Sequence, residues 1–471
     1  MHNNKLITIL KHFNKTDLNQ FHKYIVSPYF NKSQQLIHFY DIILKGFNSP
    51  KPSLLEKENV WKKLFKEQKY NDVRFRKLNS DLLRLIEDFL SQQIYDENKL
   101  QKSANLIQSV GNRGVKKMYA SAIRNYENIS AKHPYEDSEF YFNQYLIQKN
   151  YFDITQHEFK NSIKHNLEEI DFYLTIFFLT EKLRCYCNVL SQKTSNIKYQ
   201  IVFSDEILAL ARKHKKDIPS IAIYYQIYLT YVESKNEDHY FKLKNLLKDY
   251  GQKFHSVEAR ALYDSSLNYC IGRINQGHTH FLQELFELYQ DYLKKEAIYV
   301  EGELHPFHFK NIVHVALRLK QYDWTENFIY SNKERLPESS RENAVTFNLA
   351  RLYYYKKNYE RVISLLQEVE YEDIVYSLSS KSLLIATYYE SNEIEALYSL
   401  FESFRAFLNR RKDLTETKKR NYLNTIKFTK RLVKILPGDR SAIEKLKADI
   451  EMTKDISDLK WIKEKIAELE K

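Results

Sequence analysis

From Val73 to Leu90 the apolar residues Val73, Leu78, Leu82, Leu85, Ile86 and Phe89 return to one face at 100° per residue, with Lys77, Arg84 and Asp88 opposite. That period predicts an amphipathic helix facing a core, opened by Asn71 or Asp72. Shorter helices precede it. Thr16 or Asp17 caps one that runs to about Val26 and stops before Pro28, because the residue ahead of a proline avoids helical geometry. Ser33 caps the next, to about Leu44, and Ser53 with Glu56 forms an S-x-x-E capping box for a helix through Trp61 and Phe65. The middle of the chain continues in this way, broken at Gly111/Gly114, Pro134, Pro219, Gly251, Gly277 and Gly302. Asn166 to Gln192 is apolar on most sides and reads as a buried spine covered on both flanks. Near the C-terminus, Pro437 and Gly438 end a basic segment and Ser441 with Glu444 forms another capping box. There Leu459, Ile462, Ile466 and Leu469 mark a short amphipathic helix suited to cap what precedes it.

A turn recurs between apolar-periodic segments: QKNY ending at Tyr151, LKQY at Tyr322, KKNY at Tyr359, and ESNEI at Ile394. Tyr322 to Tyr359 is 37 residues and Tyr359 to Ile394 is 35, close to the 34-residue tetratricopeptide period. The unit around Tyr359 resembles that family residue by residue. Leu349 and Ala350 stand where its first helix has Leu-Gly, Tyr353 at its aromatic, Tyr359 at its turn tyrosine, Val362 at its small residue, and Leu366 and Val369 at later core positions. The next unit repeats this with Leu384, Tyr388, Ile394, Leu397, Phe401 and Phe404, and the preceding one has Ala316, Tyr322, Thr325, Ile329 and a terminating Pro337. The resemblance covers about residues 306–408. It implies an all-α, elongated, right-handed superhelix (an α-solenoid) of helix-turn-helix pairs, with Ala350, Ile385, Val362 and Leu397 in place of smaller residues implying wider-spaced helices. SPYFN at 27–31, with YNDVRFRKLNSDLLRLIEDFL, resembles a bacterial family of helical proteins, a resemblance that implies no activity. The expected organisation is an N-terminal helical domain at 1–98, a repeat-like middle at 99–300, tetratricopeptide-like repeats at 301–410, and a basic helix with capping helices at 411–471.

Composition agrees with helices. Of 471 residues only 16 are Gly or Pro, about 3% where about 12% is usual. The 37 Tyr and 28 Phe against three Trp imply a ring-rich interior in which each buried phenol needs a hydrogen-bond partner. Cys185, Cys187 and Cys270 show no bridge-like spacing, which fits a reducing, cytoplasmic setting. The N-terminal apolar run of five residues is too short for a signal peptide, and the most apolar later stretch, Ile170 to Leu179, is about half of what a bilayer needs, so no membrane span is expected.

Known chemistries fail on mechanism. GRINQGHT, Gly272 to Thr279, has P-loop spacing but His278 in place of the lysine, and a helical segment ahead of it. His278, His280, His305, His308 and His314 cluster in sequence, yet zinc needs converging ligands, which on a helix sit three or four apart. Here no carboxylate or cysteine joins them at such spacing. No G-x-S-x-G occurs, and adjacent Glu168 and Glu169 point about 100° apart on a helix. The expectation is a non-enzymatic protein with no cofactor and no metal.

Charge is the uneven quantity. Between Arg405 and Lys434 stand eleven Lys and Arg against Asp413 and Glu416, a net of +9 out of +12 for the chain. Arg420, Lys427, Arg431 and Lys434 fall on one helical face, with Tyr422, Ile426, Leu432, Val433 and Leu436 opposite, and Arg410, Arg411, Lys412 and Lys418, Lys419 flank the start. Such a stripe suits an acidic protein surface, or the phosphates of a nucleic acid, as well as a solvated face. Arg74, Arg76, Lys77 and Arg84 are a weaker basic group, diluted by Asp72, Asp81, Glu87 and Asp88. Tyr224, Tyr228 and Tyr231 form a stripe on a first helix, suited to packing or to peptide contact. The expected function is a scaffold that binds a protein or peptide through its concave face and its basic helix. The alternative is a nucleic-acid-associated regulator acting through residues 405–434.

Overall fold

The computed structural model describes residues 4–47, 52–66, 68–158, 166–192, 202, 204–214, 218–368, 374–453 and 455–470. It forms two compact units, Met1–Glu181 and Lys182–Lys471. Among the described residues there are 23 α-helices and one two-stranded hairpin, so the fold is all-α.

The first unit holds α1 (Lys5–Lys11), α2 (Lys15–Val26), α3 (Gln34–Phe47), α4 (Lys57–Phe65), α5 (Asp72–Glu97), α6 (Lys99–Gly111), α7 (Lys116–Ala131), α8 (Ser138–Glu158) and the first part of α9 (Leu167–Ser191). α5 packs against α1, α2 and α3 over a core that includes Phe21, Phe39, Tyr40, Trp61, Phe75 and Phe89. α6, α7 and α8 share a second core around Ile107, Tyr126 and Ile147. Asn71 caps α5 by accepting from the Arg74 N–H at 2.9 Å, as the pattern required.

Several local expectations are corrected here. The cap of α2 is Asn14, whose side chain accepts from Thr16 and Asp17 while the Asp17 carboxylate accepts from the Asn14 N–H. Ser53 does not cap α4. Residues Pro52–Leu55 wind into a 3₁₀ turn, and the Glu56 N–H donates to the Ser53 carbonyl instead. Val73 is 79% exposed and Phe75 takes the core position, since Val73 lies half a turn away from the Leu82 stripe. Tyr151 lies inside α8 rather than at a turn. α9 is no covered spine, because Phe172, Leu174 and Phe178 are exposed.

The second unit continues from the end of α9 through α10 (Ser204–His214), α11 (Pro219–Val232), α12 (Asp238–Tyr250), α13 (Ser256–Asn275) and α14 (Phe281–Lys294). The hairpin β1 (Tyr299–Val300) and β2 (Glu303–Leu304) follows. Gly302, expected to break a helix, sits with Glu301 in the hairpin's turn, both at positive φ, the geometry of the two-residue turn that matches strand twist. Next come α15 (Pro306–Arg318), α16 (Tyr322–Asn332), α17 (Glu338–Tyr355), α18 (Tyr359–Glu368), α19 (Ile374–Glu390) and α20 (Ile394–Arg410). The unit ends with α21 (Glu416–Leu432), α22 (Arg440–Glu451) and α23 (Leu459–Leu469).

From α11 to α21 each helix packs on the next, and α15, α17 and α19 pack successively on one another, a solenoid-like stacking of pairs. One turn joins three of these pairs. Lys320, Lys357 and Asn392 adopt φ of 59°, 59° and 58°. The next N–H, of Gln321, Asn358 and Glu393, then donates to the carbonyl five residues back, Ala316, Tyr353 and Tyr388, each at 2.9 Å. This closure satisfies carbonyls that the end of a helix would otherwise leave open. The helix end at Gly277 closes likewise, with His278 donating to Arg273 at 3.0 Å. Ala316, Thr325, Ile329, Leu349, Ala350, Tyr353, Val362, Leu366, Leu384, Ile385, Leu397, Phe401 and Phe404 are all buried, while Val369 lies outside the described residues.

Three buried phenols find carboxylates on neighbouring helices, Tyr224 donating to Glu258 at 2.7 Å, Tyr263 to Asp291 at 2.6 Å and Tyr353 to Glu326 at 3.1 Å, whereas the buried Tyr292 hydroxyl has no hydrogen-bond partner among the described residues. The terminal helix α23 closes the stack. Trp461 meets Tyr389 edge-on at 5.4 Å, and nearly buried Lys465 reaches Glu390 at 2.6 Å. The cap of α22 is Asp439, not Ser441, accepting from the Ala442 N–H.

Candidate functional site

The basic segment is more neutralised than its composition suggests. α21 stops at Leu432, so Lys434 and exposed Leu436 lie beyond it. Arg420 pairs with Asp455 and Arg431 with Asp449, both at 2.6 Å, carboxylates that a wheel of one helix could not reveal. Lys419 meets Glu416 at 3.0 Å, Arg411 meets Asp413 at 2.7 Å and Lys430 meets Glu402 at 2.6 Å. Arg410 ends α20 and donates to the Ala406 carbonyl. Lys412, Lys427 and Lys434 are exposed and, among the described residues, form no ion pair. In the N-terminal group, Arg76 pairs with Asp72 at 2.6 Å and the Arg74 guanidinium lies 4.1 Å from the Phe65 ring centre.

The tyrosine stripe of α11 faces its neighbours. Tyr224 is buried, Tyr228 stacks near Tyr186 of α9 at 5.4 Å, and Tyr231 is half-buried within reach of Ser191 and Ser265. The histidines disperse, with one surprise. His278 and His280 sit in a loop and at a helix start, where the helical angle does not apply, and both approach Glu237, at 3.7 and 3.1 Å. The buried guanidinium of Arg273 already occupies that carboxylate. His305 caps α15 by accepting from the Phe307 N–H. Cys187 and Cys270 are buried free thiols, each pushed up to about 12 by desolvation, and Cys185 is exposed.

A second group of cations lies on the first helices of the three pairs. Lys310, His314 and Arg318 stand at i, i+4 and i+8 on α15, one face of that helix. Arg351 of α17 donates to His314 Nδ1, which fixes the proton of the neutral imidazole on Nε2. Lys310 Nζ and the Arg351 guanidinium approach the same buried ring, Phe347, at 5.7 and 5.9 Å. Lys381 of α19 and Arg411 approach Phe407 at 5.3 and 5.7 Å. Desolvation, then Arg351, Arg318, Lys310 and Lys460, hold His314 down at about 3. Desolvation also depresses Arg351 and Lys381.

His314 nevertheless keeps more than a third of its surface open to water. Asp458, at the start of α23, shares this state: it is exposed, yet desolvation raises its carboxyl, opposed by Ser382 and Arg351. Its backbone is left-handed at φ 53°, and although it occupies the cap position its side chain makes no capping bond. Among the described residues Arg351 forms no ion pair within 4.0 Å, and its one hydrogen bond goes to His314.

Sequence reasoning passed over this cluster, although a signal existed. His314 and Arg351 are 37 residues apart, the spacing of Lys320 and Lys357, so they hold equivalent positions in successive repeats and stack side by side. Among the described residues no helix is long and apolar enough to cross a membrane. No family model, no curated protein and no solved structure matches the chain.

Proposed function

We propose that this chain is a non-enzymatic, tetratricopeptide-like scaffold whose first-helix face, at α15, α17 and α19, holds a protein partner, with the basic segment after α20 adding electrostatic attraction. The observation that carries this reading is the stacking of like helices joined by one repeated turn, with Arg351 of α17 donating to the neutral His314 of α15 on their shared face. Three cysteines without a disulfide support a cytoplasmic setting. The alternative of nucleic-acid binding through 405–434 draws less support, because Arg420 and Arg431 are each matched by a carboxylate.

Site-specific photo-crosslinking in the native cell tests the reading. A crosslinker at Phe307, exposed on α15, is expected to yield a discrete protein adduct, and one at Tyr330, exposed on the second helix α16, none. Equal labelling from both positions, or adducts to RNA alone, overturns it.

A further inference from the structure

α9 runs unbroken from Leu167 to Ser191, and its buried side is regular. With Leu167 as zero and 100° per residue, buried Ile176, Leu179, Leu183, Cys187 and Leu190 fall between about 120° and 200°. The opposite side of such a helix is ordinarily polar. Here Leu167, Leu174, Phe178 and Cys185 stand on it instead, at about 0°, −20°, 20° and 0°, and all four are exposed. No charged residue of α9 falls within about 30° of that line. Exposed Phe172, at about 140°, lies off the stripe. Single exposed apolar residues need no explanation, but an aligned row of them over five turns marks a surface that another surface covers.

The row itself says what covers it. Its spacings of 7, 4 and 7 residues read the same in both directions about Ile176. A second α9 turned end for end therefore sets its Phe178 on Leu174 and its Cys185 on Leu167, and receives the same contacts in return. One stripe is thus complementary to itself, as a two-fold interface requires. The charges obey the same symmetry. Asp171, at about 40°, and Lys182, at about 60°, lie on one flank, five residues before Ile176 and six after it. An antiparallel pair keeps like flanks together, so Asp171 of each copy meets Lys182 of the other. Neither residue forms an ion pair among the described residues. The helix dipoles also favour the antiparallel sense.

We propose that α9 is a self-association helix, on which a second copy of this chain pairs antiparallel about Ile176 through Leu167, Leu174, Phe178 and Cys185, with two Asp171–Lys182 ion pairs along one edge. The inference goes beyond the scaffold reading and uses none of α15, α17 and α19. One helix from each copy buries less than the roughly 1,600 Å² of a standard interface, so association is expected in the micromolar range.

Sedimentation velocity of the full-length protein across the micromolar range tests it. A monomer–dimer equilibrium is expected, and a monomer at every concentration up to hundreds of micromolar overturns the proposal. L174E/F178E, at exposed positions, should leave only monomer with the helical circular dichroism unchanged; a dimer that survives this pair of changes is built elsewhere and also overturns it. D171K and K182D should each weaken the dimer about tenfold, and D171K/K182D, which restores opposite charges across the pair, should regain most of that loss. A double exchange no better than either single one contradicts the pairing. Oxidation by copper–phenanthroline fixes the direction. Cys185 lies nine residues from Ile176, so in the antiparallel pair the two native Cys185 thiols stand about 27 Å apart and stay unlinked, while Cys187 and Cys270 are buried. L167C places a thiol opposite the other copy's Cys185 and should give a disulfide-linked dimer on a non-reducing gel. A linked dimer of the unmodified protein, or none from L167C, overturns the antiparallel arrangement.

Discussion

Lys357 holds φ 59° because the turn it closes demands a left-handed residue, and a β-carbon there costs about 1 kcal/mol relative to glycine. Replacing Lys357 by Gly should therefore stabilise the protein by about 0.5–1 kcal/mol, less the added freedom of the unfolded chain, read as a raised midpoint in urea. The same change at exposed Lys412, outside any helix, should give nothing comparable. His314 sets a second expectation. Its folded value near 3 lies below the ordinary 6.5, so between these the unfolded chain binds a proton that the folded chain does not. Stability is then lost as pH falls from about 6.5 toward 3. A pH series of Tm should fall less steeply for His314→Gln than for the unmodified protein across that window, and parallel curves would contradict the desolvated imidazole.

At the level of helices, the three-way meeting at Glu237 ties the start of α12 to the end of α13 and the start of α14. Arg273 there is 7% exposed at its side chain, so Glu237→Ala strands a buried guanidinium and should cost about 3 kcal/mol, measured by chemical denaturation. Adding Arg273→Met should recover part of that loss, because an apolar chain needs no counter-charge. Helices and their core faces were legible in the chain because one period of 3.6 governs them, and the turns at Tyr322, Tyr359 and Ile394 fell where the spacing placed them. The same string at Tyr151 proved to be helix interior: nothing in QKNY requires a left-handed residue, and the chain simply continues through α8. Caps moved to Asn14 and Asp439, since several polar residues in a row can each serve and packing chooses among them. The contact between His314 and Arg351 was hidden because the two lie 37 residues apart on successive first helices, and the ion pairs of the basic stripe were hidden because Asp449 and Asp455 stand on a later segment.

For the molecule as a whole, the +12 charge is best taken as a distribution in which residues 405–434 hold the largest share and give up part of it to internal pairs. Substituting Asn for both Asp449 and Asp455 should release two arginines and raise the salt needed to elute the protein from a cation exchanger. α22 and α23 matter to more than charge. Deleting residues 440–471 uncovers Phe428, Leu432 and Tyr389, and should increase binding of an apolar dye and lower Tm. The chain's contacts run largely from each helix to its neighbour, and the three-residue links at Lys320, Lys357 and Asn392 make each pair a separable length of chain. Pulled by its two ends, such a stack behaves as a ratcheted tether. α23 lets go first, and the pairs α19–α20, α17–α18 and α15–α16 then yield one after another, each paying out about 120 Å of slack.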